Sequence, residues 1–186
     1  MGRKSAAKEA GDAPVKEKRS RGAEAGDDDQ VEEAVREVTA AVARQSLSSL
    51  SFSERCAFAS PIASPMAGKK LAKRLLKLVS KAHKHKNHLR SGLRDVQTRI
   101  RKGERGLVIF AGDVTPIDVM AHLPAVCEDK GIPYAYVPLR SDISDAMSVR
   151  RPTMMALVVQ QPDSDAAFAS YKELYDECVD AVRHLL

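Results

Sequence analysis

His83, His85 and His88 look at first like a metal-binding tract. Zinc needs four ligands in good geometry. On a helix only His85 and His88 share a face, and no cysteine or carboxylate stands nearby. The run therefore reads as solvated or phosphate-facing histidines, and no metal is expected. Asp113 follows an apolar run, where a general base would sit, and Asp118 is its nearest titratable companion by sequence. Neither belongs to a nucleophile-base pair, and the chain has no Walker loop and no G-x-G-x-x-G. Asp113 is expected to cap its turn through local backbone hydrogen bonds. His122, among Met120, Ala121 and Leu123, reads as a half-buried histidine with a backbone partner. No catalytic residue, cofactor or small-molecule substrate is assigned. Cys56, Cys127 and Cys178 are odd in number and form no C-x-x-C, which fits a reducing compartment. No apolar run approaches the roughly 18 residues of a spanning helix, so a soluble, intracellular protein without a membrane partner is expected.

Charge says more than these candidates. The chain of 186 residues carries a net +5. Residues 69–106 hold 14 basic and 2 acidic residues, a net of +12, whereas residues 107–186 hold 6 and 12, a net of −6. One block thus carries the whole positive excess, which predicts a polyanionic partner, most often nucleic acid. With no Trp, 4 Phe and 4 Tyr, the chain does not suit sheets that stack RNA bases on surface aromatics.

The elements that must position this charge follow from periodicity. Residues 1–30 lack large apolar side chains and are expected to be disordered. Residues 31–45 carry a short amphipathic pattern, and residues 46–66, punctuated by Pro61 and Pro65, read as an extended connector. The expected organisation is a disordered or partly helical tail and linker over 1–59, then one α/β domain over 60–186. Within it, residues 69–86 form a helix whose Leu71, Leu75, Leu78 and Ala82 face inward while a lysine stripe looks out. A second helix starts at Ser91 or Gly92 and buries Leu93, Val96 and Ile100. Its free N–H groups lie beside Arg90 and Arg94, where a phosphate backbone can approach a glycine closely. Leu107, Val108, Ile109 and Phe110 form a strand buried on both faces. Thr115 is expected to cap a helix over 116–129 that begins at Pro116, with Pro124 either breaking it or starting a second piece. A strand over 132–138, a helix over 141–147, a strand over 153–159 and a helix over 163–186 complete the order. That order predicts a three-layer α-β-α sandwich with a small mixed sheet. The segment 139–152, with Arg140, Arg150 and Arg151, would form the second half of a ligand face at strand ends.

The ordered motifs go further. Arg90-Ser91-Gly92-Leu93-Arg94-Asp95-Val96, Lys102-Gly103, Leu107 to Asp113, Ala121-His122-Leu123-Pro124, Pro133 to Pro138 and Arg151-Pro152 succeed each other with a spacing that resembles the kink-turn RNA-binding ribosomal-protein family. Ser60-Pro61-Ile62-Ala63 and Cys127-Glu128-Asp129 resemble its branch in eukaryotic H/ACA small nucleolar ribonucleoproteins. The resemblance covers residues 60–186 and not the first 59.

It implies a non-catalytic scaffold that grips sharply bent RNA with the N-terminus of the second helix and the loop before the last strand. Implied partners are an H/ACA guide RNA, a pseudouridine synthase catalytic subunit and a small scaffold subunit. The implied role is guiding uridine isomerisation and processing ribosomal RNA, in the nucleolus. Residue by residue, Gly92 sits at the family's glycine, Arg94 where Asn or Lys is usual, Asp95 where Glu is usual and Thr98 where Lys is usual. Ile143 matches a usual Leu, Ser144 and Ser148 replace two usual glycines, and Val149, Arg151 and Pro152 fall in the expected stretch. The expected RNA-binding set is Lys84, Arg90, Gly92, Arg94, Asp95, Thr98, Ile143, Val149 and Arg150. The substitutions imply binding driven by shape and charge, since arginine holds phosphate or stacks where Asn would pair with a base edge. Other members of the family, in ribosomal, methylation-guide or spliceosomal particles, remain alternatives, as does a protein adaptor without RNA.

Overall fold

The computed structural model describes residues 50–161 and 165–186. The tail and the amphipathic pattern at 31–45 lie outside the described residues. The first described helix, α1 (Phe52–Ala57), falls where an extended connector was expected. A reciprocal capping box makes it: the Ser51 N–H donates to the Glu54 carboxylate at 2.7 Å, and the Glu54 N–H donates to the Ser51 hydroxyl at 3.3 Å. Phe52 packs against the core, and Arg55 pairs with Asp142 at 3.0 Å. The packed chain therefore begins ahead of residue 60.

Helix α2 (Lys69–His83) buries Ala72, Leu75, Leu78, Val79 and Ala82, as the periodicity predicts. Strand β1 (Leu89–Ser91) was not expected from sequence; its three residues become a strand by pairing with a distant partner. Helix α3 (Leu93–Arg101) buries Val96 and Ile100. Strand β2 (Gly106–Ala111) is buried throughout. The helix expected over 116–129 is two pieces. Pro116 is extended, a 3-10 turn spans Ile117–Val119, and α4 (Leu123–Asp129) carries Pro124 in its first turn, where a missing N–H costs nothing. Strand β3 (Tyr134–Val137), α5 (Arg140–Ala146) and β4 (Met155–Val159) follow. The last helix is broken into α6 (Ala166–Ala169) and α7 (Lys172–Arg183), because Tyr171 leaves helical geometry at the junction. No helix among the described residues is long and apolar enough to cross a membrane.

The sheet order is β1-β4-β2-β3. β2 and β3 are parallel, and β4 runs antiparallel to both of its neighbours, β1 and β2. Every residue of β2, β3 and β4 is buried, so both faces of the sheet are covered. Helix α2 packs on α5 and α7 and lies against β1 and β4. Helix α3 also lies against β1 and β4 but does not pair with α2, and it is joined to the α4 side by Gln97 and His122. The result is the three-layer α-β-α sandwich with a mixed sheet. Six of the eight aromatic side chains, Phe110, Tyr134, Tyr136, Phe168, Tyr171 and Tyr175, sit in its core, so the sheet offers no surface for stacking bases.

Because β1, β2 and β3 point the same way, their C-terminal ends share one edge with the start of β4. Gly92, the turn at Gly112 and Asp113, Leu139 and Met154 collect there. His88, whose carbonyl accepts from the Val159 N–H at 2.9 Å, marks the opposite edge.

Gly106 opens β2 opposite Val159, and a Cβ there would run into the Val158 carbonyl oxygen. Gly106→Ala should therefore lower stability by about 2 kcal/mol, read as a fall in the urea midpoint. Gly68→Ser places a side chain in open space with extended backbone, and should stay within about 0.5 kcal/mol of the parent.

Candidate nucleic-acid interface

At Gly92 the backbone takes φ 88° and ψ 154°, a conformation open essentially to glycine alone. Nothing lies within 4 Å of where a Cβ would stand, so the glycine answers to backbone conformation and to approach from outside. Its own N–H donates to the Met155 carbonyl at 3.0 Å, which ties the start of α3 to the start of β4. No side chain caps α3, so its first-turn N–H groups are left without an intrahelical or side-chain acceptor. The arrangement is a helix N-terminus open to an anion.

The loop before β4 arrives at the same edge. The Ser148 N–H donates to the Asp145 carbonyl and the Val149 N–H to the Ser144 carbonyl, both at 3.0 Å. Ser148 takes φ 56°, the left-handed conformation for which the family's usual glycine is suited. The turn leaves Val149 39% exposed, with Arg150 and Arg151 exposed after it. The loop closes where the Ala111 N–H donates to the Met154 carbonyl at 2.9 Å. The Gly92 helix start, Arg94, Val149 and Arg150 therefore border one edge of the sheet.

Around this edge the expected site residues take different parts. Arg94 is exposed and meets no carboxylate among the described residues. The Thr98 hydroxyl donates to the Arg94 carbonyl at 2.7 Å, so its hydrogen goes to the helix. Arg99 Nε donates to Asp95 at 3.4 Å. Arg90 is largely covered: its Nε lies 3.5 Å from Glu104 Oε2, and its Nη1 donates to Asn87 at 3.2 Å. Glu104 also accepts from Arg99 at 3.1 Å. Both carboxylates of the basic block are thus held by arginines. Ile143 is fully buried; it anchors α5 and offers no outward contact. Ser144 is buried too, its hydroxyl donating to the Ser141 carbonyl at 2.9 Å. Lys84 caps the far end of α2, at the opposite edge from Gly92, because α2 runs from one edge of the sheet to the other.

The other candidates resolve as structure. His88 is buried rather than solvated, with Nδ1 2.6 Å from the Tyr171 hydroxyl and Nε2 3.1 Å from Asp165. His122 is exposed, and its partner is the Gln97 side chain at 2.8 Å, not the backbone. Burial pushes the Cys127 thiol up to about 12 and the Cys178 thiol up to about 11, which leaves neither as a nucleophile at neutral pH. Among the described residues no group of three His, Cys, Asp or Glu side chains could hold a metal ion.

Residues 73–168 match the family model described as ribosomal protein L7Ae/L30e/S12e/Gadd45. The chain belongs to this family. It is the kink-turn RNA-binding family that the ordered motifs resemble. The H/ACA ribonucleoprotein complex subunit 2 of Drosophila melanogaster is 53% identical over 127 residues, 68% of this chain and 75% of the relative. The H/ACA ribonucleoprotein complex subunit 2-like protein of Xenopus tropicalis is 48% identical over 137 residues, 74% of this chain and 87% of the relative. Among solved structures, the 15.5 kD RNA binding protein of Giardia lamblia superposes with a TM-score of 0.61 at 29% identity, covering 68% of this chain and 99% of that one. Membership accounts for the sandwich.

The carboxylate expected to cap its own turn bonds its own backbone and also braces a neighbouring helix. Asp113 accepts from the Arg140 N–H at 2.7 Å, at the first residue of α5, and its other oxygen lies 3.6 Å from Arg140 Nε. Burial raises its pKa above the usual carboxylate value, against the opposing pull of Arg140. Burial raises Asp142 likewise, against Arg55. A carboxyl raised in the folded state adds stability that is present below its unfolded pKa, about 3.9, and is lost as pH rises through the folded value. Asp113→Asn keeps the acceptor and should flatten stability against pH just above pH 4. Asp113→Ala should cost about 1 kcal/mol at neutral pH, and urea melts across pH separate the two.

Proposed function

We propose that this chain is the non-catalytic RNA-binding core subunit of an H/ACA small nucleolar ribonucleoprotein that guides pseudouridylation and processing of ribosomal RNA. The observation that carries the reading is the series of relatives named for subunit 2 of the H/ACA complex, 38–55% identical over 127–154 residues. The sheet edge at Gly92 supports it, since an uncapped helix start beside Arg94, Val149 and Arg150 suits a sharply bent phosphate backbone. On this reading the partners are an H/ACA guide RNA, the pseudouridine synthase catalytic subunit and the small scaffold subunit of the same particle. The place of work is the nucleolus.

Arginine at position 94 and the buried, self-satisfied side chains at Ile143 and Ser144 leave few groups to read base edges. Recognition on this reading follows the shape and charge of the RNA backbone. Binding of the purified chain to a kink-turn, the unbent stem and an H/ACA hairpin, each at several salt concentrations, tests it. Arg94→Ala should weaken binding to the bent RNA and lower the slope of log affinity against log salt by about 1. Lys84→Ala, at the far edge, should leave the shortest bent RNA unaffected. Unchanged binding in Arg94→Ala would remove the Gly92 edge as the RNA site. Recovery of methylation-guide or spliceosomal RNA, in place of H/ACA RNA, with the chain from cells would move it to another branch of the family.

A further inference from the structure

The lysine face of α2 is used neither by the core nor by the Gly92 edge. Lys69, Lys70, Lys73, Lys77, Lys81 and Lys84 project along one side of the helix, opposite Leu75, Leu78 and Ala82. The stripe is about 22 Å long at 1.5 Å per residue. None of the six meets a carboxylate among the described residues; the nearby ion pair, Arg74 with Glu177 at 3.8 Å, leaves them out. The helix carries no acidic residue in its first turn, where a carboxylate would suit the dipole, and instead begins with two lysines. Like charges four residues apart, as at Lys69, Lys73, Lys77 and Lys81, each cost a helix a few tenths of a kcal/mol. Such a pattern works against the isolated helix and is relieved by a polyanion.

The position of the stripe identifies which polyanion. Residues 65–67 run parallel to the end of β3, with the Ala67 N–H donating to the Tyr136 carbonyl at 2.8 Å. Helix α2 therefore starts at the edge that holds Gly92, on the other face of the sheet from α3, and runs away from it. No Phe, Tyr or Trp lies among the lysines, and His83 stands only at the end of the stripe, so the surface offers chiefly phosphate contacts. We infer that α2 is a second phosphate-binding surface, which takes the backbone of a double-stranded RNA stem leaving the bend at the Gly92 edge. This inference rests on the RNA-binding reading above and adds to it a second contact on a different face.

The test compares a bent hairpin with minimal stems and the same hairpin with one stem lengthened by roughly a helical turn. The full chain, Arg94→Ala and the triple variant Lys73→Ala, Lys77→Ala, Lys81→Ala are titrated against both at several salt concentrations. The triple variant should lose about tenfold or more in affinity for the long RNA, lower its salt slope by about 3, and leave the minimal hairpin within about twofold. Replacing the same three lysines by arginine should restore binding, and the thermal midpoint checks that each variant is folded. An unchanged long-RNA slope in the triple variant, while Arg94→Ala weakens both RNAs, would overturn the second surface and leave the first intact. Loss of binding to polyglutamate without loss on the long RNA would overturn it in favour of an acidic protein. If Arg94→Ala changes neither RNA, the Gly92 edge fails instead, whatever α2 does.

Discussion

β4 sits antiparallel between β1 and β2, and the placement of every functional residue depends on that pairing. It carries the loop at 148–154 to the edge where β1 ends, and the hydrogen bond from Gly92 to Met155 fixes the helix start beside it. The same pairing sends His88 and Lys84 to the far edge. Close packing enforces the register: Gly106 faces the Val158 carbonyl with no room for a side chain, and all of β4 is buried. A single-residue slip would turn the inward side chains of β4 to the opposite face and move the loop off the helix start.

The electrostatics follow from this frame. The two carboxylates within the basic block, Asp95 and Glu104, are held by Arg99 and Arg90, which brace α3 against β1. Arg94 at the Gly92 edge and the lysines on the outer face of α2 meet no carboxylate among the described residues. Both suit phosphate. A surface of this kind follows the course of a phosphate backbone rather than its sequence.

Most of the fold was legible because its elements have strong local signals. Helix α2 shows in the spacing of Leu75, Leu78 and Ala82, and β2 in an unbroken apolar run. Gly92 was legible as a helix start by residue type and neighbours. What was not legible depends on contacts distant in sequence. β1 is three ordinary residues that become a strand only against β4. His88 reads as an exposed member of a histidine run until Tyr171, 83 residues on, covers it. Arg90 looks as available as Arg94 until Glu104 folds back on it. Lys84 belongs to the same charge block as Gly92, yet a helix of 15 residues carries it across the domain. The one local signal passed over was the Ser51 to Glu54 capping box that starts α1.

The central claim is that bent RNA lies across the sheet edge at Gly92. Amide chemical shifts of the isotopically labelled chain, followed as a kink-turn RNA is added, test it most directly. The account predicts the largest changes at Leu93, Arg94 and Asp95 and across residues 148–152, with smaller ones along α2. Largest changes at the opposite edge, around Gly131, Ile132 and Arg183, with the Gly92 region still, would contradict it.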